Sequence, residues 1–249
     1  MVIYYIVLFR MTTLAVSDFD LTLLHQTRNE VYRGVHLSTG QVCIIKFHND
    51  LASKEAQIMQ ELAGKVDNIP IVHLHSTGDY TAPSGKSYRY LIIRSCCEGK
   101  VLTPSKGLDG TVVDHPGQVG REHFTIVQRK TLVTQLIELV AQLHECGVVY
   151  ADDFLTNTVV STDSLEPQLI DFGQSYYVDG PRELLPLTVR VRQVKDVRAP
   201  DIFSLMGLIH YMFDIPHQQR TFPEGWHSMN ARDLLPYIPD TNAAPELKC

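Results

Sequence analysis

The chain has 249 residues, of which 44% are hydrophobic, so it can bury a sizeable core as one large domain or as two smaller lobes. Its 22 basic and 28 acidic side chains give a formal net charge of −6, and no run of Lys and Arg is longer than a dipeptide. This charge argues against a protein that binds nucleic acid or an anionic membrane. The five cysteines are odd in number and have no C-x-x-C spacing, which indicates reduced thiols in the cytoplasm or nucleus and argues against zinc.

The chain opens with the apolar stretch MVIYYIVLFRM, which is too short to span a bilayer and has no basic region before it. We therefore expect no membrane-spanning or secretory segment here, and we assign residues 1–19 to a strand-like or disordered extension. A second methionine, Met11, also suggests a start of translation there, in which case residues 1–10 would not belong to the mature protein.

Short β-type runs dominate residues 20–98, which we assign to a first, β-rich lobe. VYRGVHL and VCIIKF flank a Ser-Thr-Gly turn at residues 38–40, so they predict a hairpin. LASKEAQIMQELAGKV predicts a short amphipathic helix, because its apolar residues recur at helical spacing, at Ala56, Met59 and Leu62. IPIVHLHSTGDY and SYRYLIIRSCC flank a Pro-Ser-Gly turn and predict a second pair of strands.

Residues 99–122 are rich in Gly, Pro and Asp and show no periodicity, so they predict a surface connector or insertion outside both lobes. Residues 123–249 predict a second, mostly helical lobe. Its strongest helix is RKTLVTQLIELVAQLHECG, which ends at Gly147 and carries a wide apolar stripe formed by Leu132, Val133, Leu136, Ile137, Val140 and Leu143. DIFSLMGLIHYMF predicts a further apolar helix, and SMNARDLLPYI predicts a short one.

The segment GVVYADDFLTNTVV interrupts two β-type runs with the adjacent acids Asp152 and Asp153, which cannot be buried unpaired at low cost. One interpretation is a hairpin loop in which the Asp and Asn residues serve as turn formers. The other is chemical, because QLIDFG follows and brings a third acid, Asp171, fourteen residues after Asn157. Two short strands joined by a turn would bring these last two side chains to one point.

Three motifs in register resemble those of protein kinases. VVYADDFLTN is similar to the catalytic loop H-R-D-L-x-x-x-N, with Asp152 and Asn157 in the slots of the catalytic Asp and the metal-binding Asn. LIDFG matches D-F-G at Asp171, and CIIK resembles V-A-I-K at Lys46. The resemblance covers about residues 20–235 and implies an α+β, bilobal protein-kinase-like fold, with a small β-rich N-lobe and a mostly helical, shortened C-lobe.

The resemblance also implies a role for each site residue. Asp152 would be the catalytic base, Lys46 would neutralise the phosphates of ATP, and Glu55 would be the ion-pair partner of Lys46. Asn157 and Asp171 would hold Mg²⁺. The residues implied to contact ATP are Val31, Ile44, Lys46, Ile93 in the gatekeeper slot, Ser95 and Cys96 in the hinge, and Val159. Asp153 is expected to be a solvated turn acid. Asp201 is expected to cap its helix and, as the family implies, to brace the catalytic loop, or else to be a plain N-cap.

Several positions depart from the kinase pattern. Leu24, Gln26 and Asn29 occupy the three glycine slots, so that loop cannot approach phosphates as closely. Ile44 stands where a small Ala is usual, and the catalytic loop differs at three slots, namely Tyr150, Ala151 and Phe154. The A-P-E element is absent. A pared C-lobe without that element is similar to the kinase subunit of the KEOPS/EKC complex and to small kinase-like proteins of fungi, which implies a protein partner in a multi-subunit complex.

We therefore expect an ATP- and Mg²⁺-dependent phosphotransferase of the Ser/Thr-kinase type, or an ATPase, with low activity. The degraded glycine slots leave open a pseudokinase that acts as a binding or scaffold module. A small-molecule phosphotransferase of the aminoglycoside-kinase type shares a catalytic Asp, an Asn and a metal Asp, but DIFSLMGL favours kinship with protein kinases. ATP, Mg²⁺ and a protein partner are the expected ligands, with no direct binding to nucleic acid or to a membrane.

Overall fold

The computed structural model describes residues 16–26, 29–49, 52–70, 72–75, 80–95, 99–103, 117–180 and 196–239. Within these ranges the protein is of the mixed α+β class. Two compact units form, one from Met1–Asp50 with Leu74–Cys96 and the other from Leu51–His73 with Cys97–Cys249. The expectations about residues 1–10 and about Met11 lie outside the described residues.

A five-stranded sheet forms the frame of the first unit. The strands in this part of the chain are β1 (Phe19–Gln26), β2 (Glu30–His36), β3 (Val42–His48), β4 (Val72–His75), β5 (Tyr80–Thr81), β6 (Ser87–Tyr88) and β7 (Tyr90–Ser95). The order in the large sheet is β1-β2-β3-β7-β4, whereas β5 and β6 form a separate small hairpin. The predicted Pro-Ser-Gly turn therefore joins β5 to β6, and the strands that flank this hairpin meet as neighbours in the large sheet.

The turn between β2 and β3 falls where the sequence predicts it. Gly40 has a φ of 70°, a left-handed conformation that glycine adopts without steric cost. The Gly40 N–H donates to the carbonyl of His36 at 2.8 Å, which closes the turn. The predicted hairpin over this part of the chain is confirmed.

One face of the large sheet carries the apolar core of the first unit. Side chains alternate between the two faces along a strand, and alternate residues are buried together here: Tyr32 of β2, Cys43, Ile45 and Phe47 of β3, and Leu91 and Ile93 of β7. The intervening residues lie on the second face. There the antiparallel register forms two cross-strand rows, one of Val31, Lys46 and Ile92 and one of Arg33, Ile44 and Arg94.

The second unit contains three α-helices among its described residues: α1 (Ala52–Leu62), α2 (Ile126–Glu145) and α3 (Ala199–Met212). Helix α2 begins with a capping box between Thr125 and Gln128, and the chain leaves it through Gly147, whose φ is 73°. All six residues of the apolar stripe predicted for this helix are buried. The predicted short helix near the end of the chain is a 3-10 helix, Ala231–Tyr237, and it packs against α2 and α3.

Short strands complete the second unit. They are β8 (Gly99–Leu102), β9 (Gln118–Val119), β10 (Val148–Val149), β11 (Thr158–Ser161), β12 (Pro167–Leu169) and β13 (Tyr176–Tyr177). Four of them form a sheet in the order β12-β11-β8-β9, and β10 pairs with β13. None of the helices in the described ranges is long and apolar enough to cross a membrane.

The unit boundaries differ from the predicted ones in two places. Helix α1, which the sequence assigned to the lobe of residues 20–98, groups with the second unit. The prediction that the whole of residues 99–122 lies outside both cores is wrong, because β8 and β9 belong to a sheet of the second unit and Leu102 is fully buried. Strand β8 pairs with β11, which is almost sixty residues away. A pairing at that separation produces no local periodicity, so the sequence pattern could not reveal it.

Candidate functional site

The hairpin of β11 and β12 brings Asn157 and Asp171 to the same end. Thr158 pairs with Leu169 in the ladder, and one step further the N–H of Ile170 donates to the carbonyl of Asn157 at 2.9 Å. Asn157 and Asp171 therefore flank the open end of the hairpin, one on each strand's extension. The prediction that two short strands and a turn separate these two residues is confirmed.

The backbone of Asp171 is held in a left-handed conformation, with a φ of 61°. Residues other than glycine rarely adopt it, and it persists where the surroundings over-determine it, often at functional sites. Both neighbours of Asp171 are anchored here. The hydroxyl of Tyr150 donates to the carbonyl of Ile170, and Phe172 is fully buried with its ring edge against Tyr150, 5.1 Å between centroids. Asp171 Oδ1 accepts the N–H of Gly173 at 3.3 Å, which fixes the carboxylate as well.

The loop that carries Asp152 is braced by a buried carboxylate from α3. Asp201 Oδ1 accepts the N–H of Ala151 at 2.7 Å, and Oδ2 accepts the N–H of Tyr150 at 2.9 Å. His144 Nε2 lies 2.8 Å from the same Oδ2, and Asp201 is fully buried. Of the two roles expected for Asp201, bracing the loop is confirmed and capping is wrong, because α3 begins at Ala199 with Arg198 at the N-cap. Ala151, held by this brace, also has a left-handed φ of 61°.

Tyr150 and Phe154 attach the same loop to the core by an aromatic stack. Both side chains are fully buried, and their rings lie 5.2 Å apart at an interplanar angle of 18°. The carbonyl of Tyr150 accepts the hydroxyl of Ser175 at 3.0 Å, and the N–H of Phe154 donates to the hydroxyl of Ser204 at 3.3 Å. Both aromatic residues occupy positions that depart from the kinase pattern. In the structure they pack on each other and are buried.

The two adjacent acids of the loop have different surroundings. Asp153 is exposed and accepts hydrogen bonds from the N–H of Leu155 at 3.2 Å and from the hydroxyl of Thr156 at 3.3 Å. It is the turn acid that the sequence predicts. Asp152 is only partly exposed, and its Oδ1 accepts the N–H of Asp153 at 2.8 Å. Asp153 therefore forms the turn, whereas Asp152 is held on it by a hydrogen bond to the backbone.

Glu55 belongs to the same unit as Asp171 and lies close to it. Helix α1 buries Glu55, of which 4% is exposed. A Cβ atom built on Gly173 would lie 3.1 Å from Asp171 Oδ1 and 3.9 Å from Glu55 Oε2. Two carboxylates thus approach this glycine, and any larger residue there would crowd Asp171.

Helix α1 is also tied to the segment that follows Gly173. The hydroxyl of Tyr177 in β13 donates to Glu61 Oε2 at 2.6 Å. Burial and the neighbouring Glu61 raise the pKa of Tyr177, and the hydrogen bond from Tyr177 lowers the pKa of Glu61. The contact joins α1, which carries Glu55, to the strand that begins five residues after Asp171. No local sequence pattern indicates this contact, because the two residues are 116 positions apart.

In the first unit, the sheet separates the predicted nucleotide-contacting residues onto two faces. Val31, Ile44 and Lys46 share the second face, as expected from their register. Ile93 pairs with Ile45 and is buried in the core on the other face, so it does not share the face of Ile44 and Lys46. Arg94, one residue later, lies on the face of Lys46, because successive side chains along a strand point to opposite faces.

The remaining predicted contact residues are distributed over both units. Ser95 is the last residue of β7, where its backbone pairs with Cys43, and Cys96 lies outside the described residues. Val159 is partly buried in β11, between Val101 and Gln168 of the neighbouring strands. Because Lys46 and Glu55 belong to different units, their ion pair stays a prediction.

The facing ends of β1 and β2, where the sequence lacks the expected glycines, are joined by a buried acid. Glu30, of which 1% is exposed, accepts the hydroxyls of Tyr32 and Ser84, each at 2.7 Å, and the amide of Gln26 at 3.3 Å. Burial alone would raise the pKa of Glu30, but these hydrogen bonds outweigh it and lower the pKa. Burial and Glu30 raise the pKa of Tyr32 to about 12. Glu30 is not among the residues predicted from the sequence, where its one signal is an acid at the start of the β-type run EVYRGVHL.

The donor set at the end of the β11–β12 hairpin fits a magnesium ion. Asn157 offers an amide oxygen and Asp171 a carboxylate, and Mg²⁺ in proteins is commonly held by one or two such groups together with water and substrate phosphates. Among the residues that the structure describes, no group of three or more His, Cys, Asp or Glu side chains could hold a metal ion. Asp171 and Asn157 would be enough protein ligands for Mg²⁺, because the other ligands of this ion are usually water and phosphate oxygens.

None of the protein-family models matches the chain, and no curated protein is significantly similar to it.

Proposed function

We propose that the protein is a bilobal, protein-kinase-like phosphotransferase that uses ATP and Mg²⁺, either as a Ser/Thr-type kinase or as an ATPase, at a low rate. The observation that supports this most strongly is the hairpin of β11 and β12, which holds Asn157 and a left-handed Asp171 at one end. The loop of Asp152, braced by Asp201, precedes the same hairpin in the chain. The resemblance to the KEOPS/EKC kinase subunit adds a protein partner to the proposal.

In this proposal the catalytic roles follow from the chemistry of each side chain. Asp152 orients the attacking hydroxyl or water and accepts its proton at a carboxylate oxygen. Asp171 and Asn157 bind Mg²⁺ through their oxygens, and the ion, when bound, neutralises charge that develops on the phosphates. Lys46 binds the phosphates directly.

Positioning supplies most of the rate enhancement in such a reaction. The contacts that position Asp152 and Asp171 are made by their neighbours. Asp201 holds the N–H groups of Tyr150 and Ala151, and the Tyr150 hydroxyl holds the carbonyl of Ile170. One aromatic residue thereby connects the loop of Asp152 to the backbone of Asp171, which supports a site in which both carboxylates are held in advance.

Two features support a low rate. The side chain of Phe154 is buried against Tyr150, so position 154 offers no polar group to a phosphate. Gln26, at the end of β1, donates to Glu30, at the start of β2, and neither residue has the conformational freedom of the glycines that ordinary kinases place near the phosphates. We expect turnover below the roughly 1–100 s⁻¹ of ordinary kinases.

The second candidate is a pseudokinase that binds a partner without phosphotransfer. The hydrogen bonds of Glu30 favour the pseudokinase, because they hold the start of β2 to Ser84. The two candidates differ in one measurable property, which is transfer or release of the γ-phosphate.

A radiolabelled γ-phosphate assay on the purified full chain tests the proposal. Wild type should label itself or an offered protein or small-molecule acceptor, or release phosphate, whereas Asp152→Asn and Asp171→Asn should fall to background. Asp163→Asn is the matched control, because Asp163 is an exposed acid in the turn of the same hairpin. Background counts from wild type under all conditions, with the chain shown to be folded, would leave the pseudokinase.

A further inference from the structure

The tip of the β5–β6 hairpin is hydrogen-bonded to the start of β2 through one serine. The hydroxyl of Ser84 donates to Glu30 Oε1 at 2.7 Å, although the two residues are 54 positions apart. Glu30 is 1% exposed, whereas every residue from 83 to 87 is exposed. The Ser84 hydroxyl therefore connects a turn that faces solvent to a buried carboxylate.

The backbone of this turn fixes the position of Ser84. The N–H of Gly85 donates to the carbonyl of Ala82 at 2.8 Å, and the N–H of Ala82 donates to the carbonyl of Lys86 at 2.9 Å. Ala82 is buried in the apolar core of the first unit, and Gly85 has a left-handed φ of 84°. Ser84 can therefore leave Glu30 only by rotating its own side chain or by disrupting the turn.

The charge of Glu30 is stabilised by neutral groups. Burial would raise the pKa of this carboxyl, and the hydrogen bonds that lower it come from the side chains of Tyr32, Ser84, Tyr88 and Gln26. None of these four donors carries a positive charge. A second negative charge at the position of Ser84 would therefore meet the carboxylate with no neutralising group among its hydrogen-bond donors, and like charges repel strongly in a buried region.

We propose that Ser84 is a phosphorylation site and that its modification opens the contact with Glu30. In the reaction the Ser84 hydroxyl oxygen attacks the γ-phosphorus of ATP bound to a Ser/Thr kinase, the bond from that phosphorus to ADP breaks, and the hydroxyl proton passes to the base of that kinase. The proposal goes beyond the proposed function, because it requires no activity of this chain.

The phosphate ester acts against the contact in two ways. Its ester oxygen has no proton to donate to Glu30, and it brings a charge of about −1.5 to −2 at neutral pH beside the carboxylate. The start of β2 is thereby released from the tip of the β5–β6 hairpin. Because Glu30 Oε1 also accepts the amide of Gln26, the change reaches the facing ends of β1 and β2.

The hydrogen bond to Glu30 leaves Ser84 accessible to a kinase. Side chains of exposed residues change rotamer within picoseconds to nanoseconds, so the hydroxyl can turn to solvent while the backbone stays in place. Pro83 and Gly85, on either side, are exposed as well. Ser87 is also exposed, but it belongs to β6, where it pairs with Thr81. Ser84 is the serine that contacts the buried acid, so we assign the effect to it.

Nuclear magnetic resonance of the full chain, with phosphoserine encoded at position 84, tests the proposal. The side-chain carboxyl of Glu30 should titrate below the ordinary value of 4.5 in wild type. It should titrate above 4.5 in the phosphorylated chain, because burial then outweighs the remaining donors. Amide exchange at the start of β2 should become about tenfold faster, as the loss of a hydrogen bond to a charged group implies.

Phosphoserine encoded at position 87 is the matched control, because it adds the same charge to an exposed site in the same hairpin. It should leave the Glu30 titration as in wild type and the amide exchange within about twofold. Ser84→Ala removes the donor without adding charge, so it should raise the pKa of Glu30 by less than phosphorylation does. A Glu30 carboxyl that still titrates below 4.5 in the phosphorylated chain, equal effects at positions 84 and 87, or an unchanged pKa in Ser84→Ala overturns the proposal.

Discussion

The carboxylate of Asp201 and the backbone of Ala151 form a direct hydrogen bond of 2.7 Å across fifty positions of sequence. Asp201 accepts three donors in all, counting Tyr150 N–H and His144 Nε2, and it has no exposure to solvent. Hydrogen bonds to a buried ionised group are among the stronger ones in proteins. This contact holds the backbone at Ala151, which has a left-handed conformation and directly precedes Asp152.

Replacing Asp201 by Asn should therefore destabilise the chain. The amide keeps one oxygen but directs an NH₂ group at a backbone N–H, so we expect a loss of about 2–4 kcal/mol in the free energy of unfolding. Urea unfolding followed by circular dichroism measures it. Asp163→Asn, in an exposed turn, should change the value by less than about 0.5 kcal/mol. Equal losses of stability in the two variants would show that the hydrogen bonds of Asp201 do not stabilise the fold.

Tyr150→Phe should lower the free energy of unfolding only modestly but should lower the rate of γ-phosphate release strongly. The variant keeps the stack on Phe154 and the edge contact with Phe172 but removes the hydroxyl that donates to the carbonyl of Ile170. We expect about 1–3 kcal/mol of lost stability, because a partly buried carbonyl loses its partner, and a larger proportional loss of γ-phosphate release, because Asp171 follows Ile170. Tyr237→Phe, at a partly exposed tyrosine, serves as the control in both measurements. Full activity of Tyr150→Phe would show that its hydroxyl does not position Asp171.

Tyr177→Phe should loosen helix α1. The variant loses the 2.6 Å hydrogen bond to Glu61, which is worth about 1 kcal/mol as a bond to a charged group near the surface. Amide hydrogen exchange of α1 should become about fivefold faster, as that free energy implies, while exchange in α2 stays unchanged. Mass spectrometry of peptides from both helices measures the two rates in one sample. Identical exchange of α1 in wild type and variant would mean that the contact does not hold the helix.

Glu30 should make stability depend on pH on the acid side. The pKa of Glu30 is lowered in the folded state, so its contribution is present above the ordinary value of 4.5 and is lost as pH falls through the folded-state pKa. Glu30→Gln should cost about 1–3 kcal/mol at pH 7, since Tyr32 and Ser84 lose an ionised acceptor, and the cost should shrink below pH 4.5. Urea unfolding at pH 7 and at pH 3.5 compares the two states. Glu166→Gln, at an exposed site, should show no such change, and a cost for Glu30→Gln that is the same at both pH values would refute the linkage.

The sequence alone determined the features that depend on neighbours in the chain. The stripe of α2 recurs at helical spacing, so its burial could be read directly. The grouping of Asn157 and Asp171 follows from a hairpin of two short strands, whose turn is local. Gly40 closes the β2–β3 turn, which likewise depends only on residues that are adjacent in the chain.

Contacts between distant segments were decided only by the tertiary structure. Strand β8 pairs with β11, which is almost sixty residues away. Tyr177 is hydrogen-bonded to Glu61 across 116 positions, and Asp201 is hydrogen-bonded to Ala151 across fifty. Arg94, and not Ile93, shares a sheet face with Lys46, and this depends on strand register, because a shift of one residue reverses the face. Register and long-range pairing are set by the summed burial of many side chains, and no short window of sequence contains that sum.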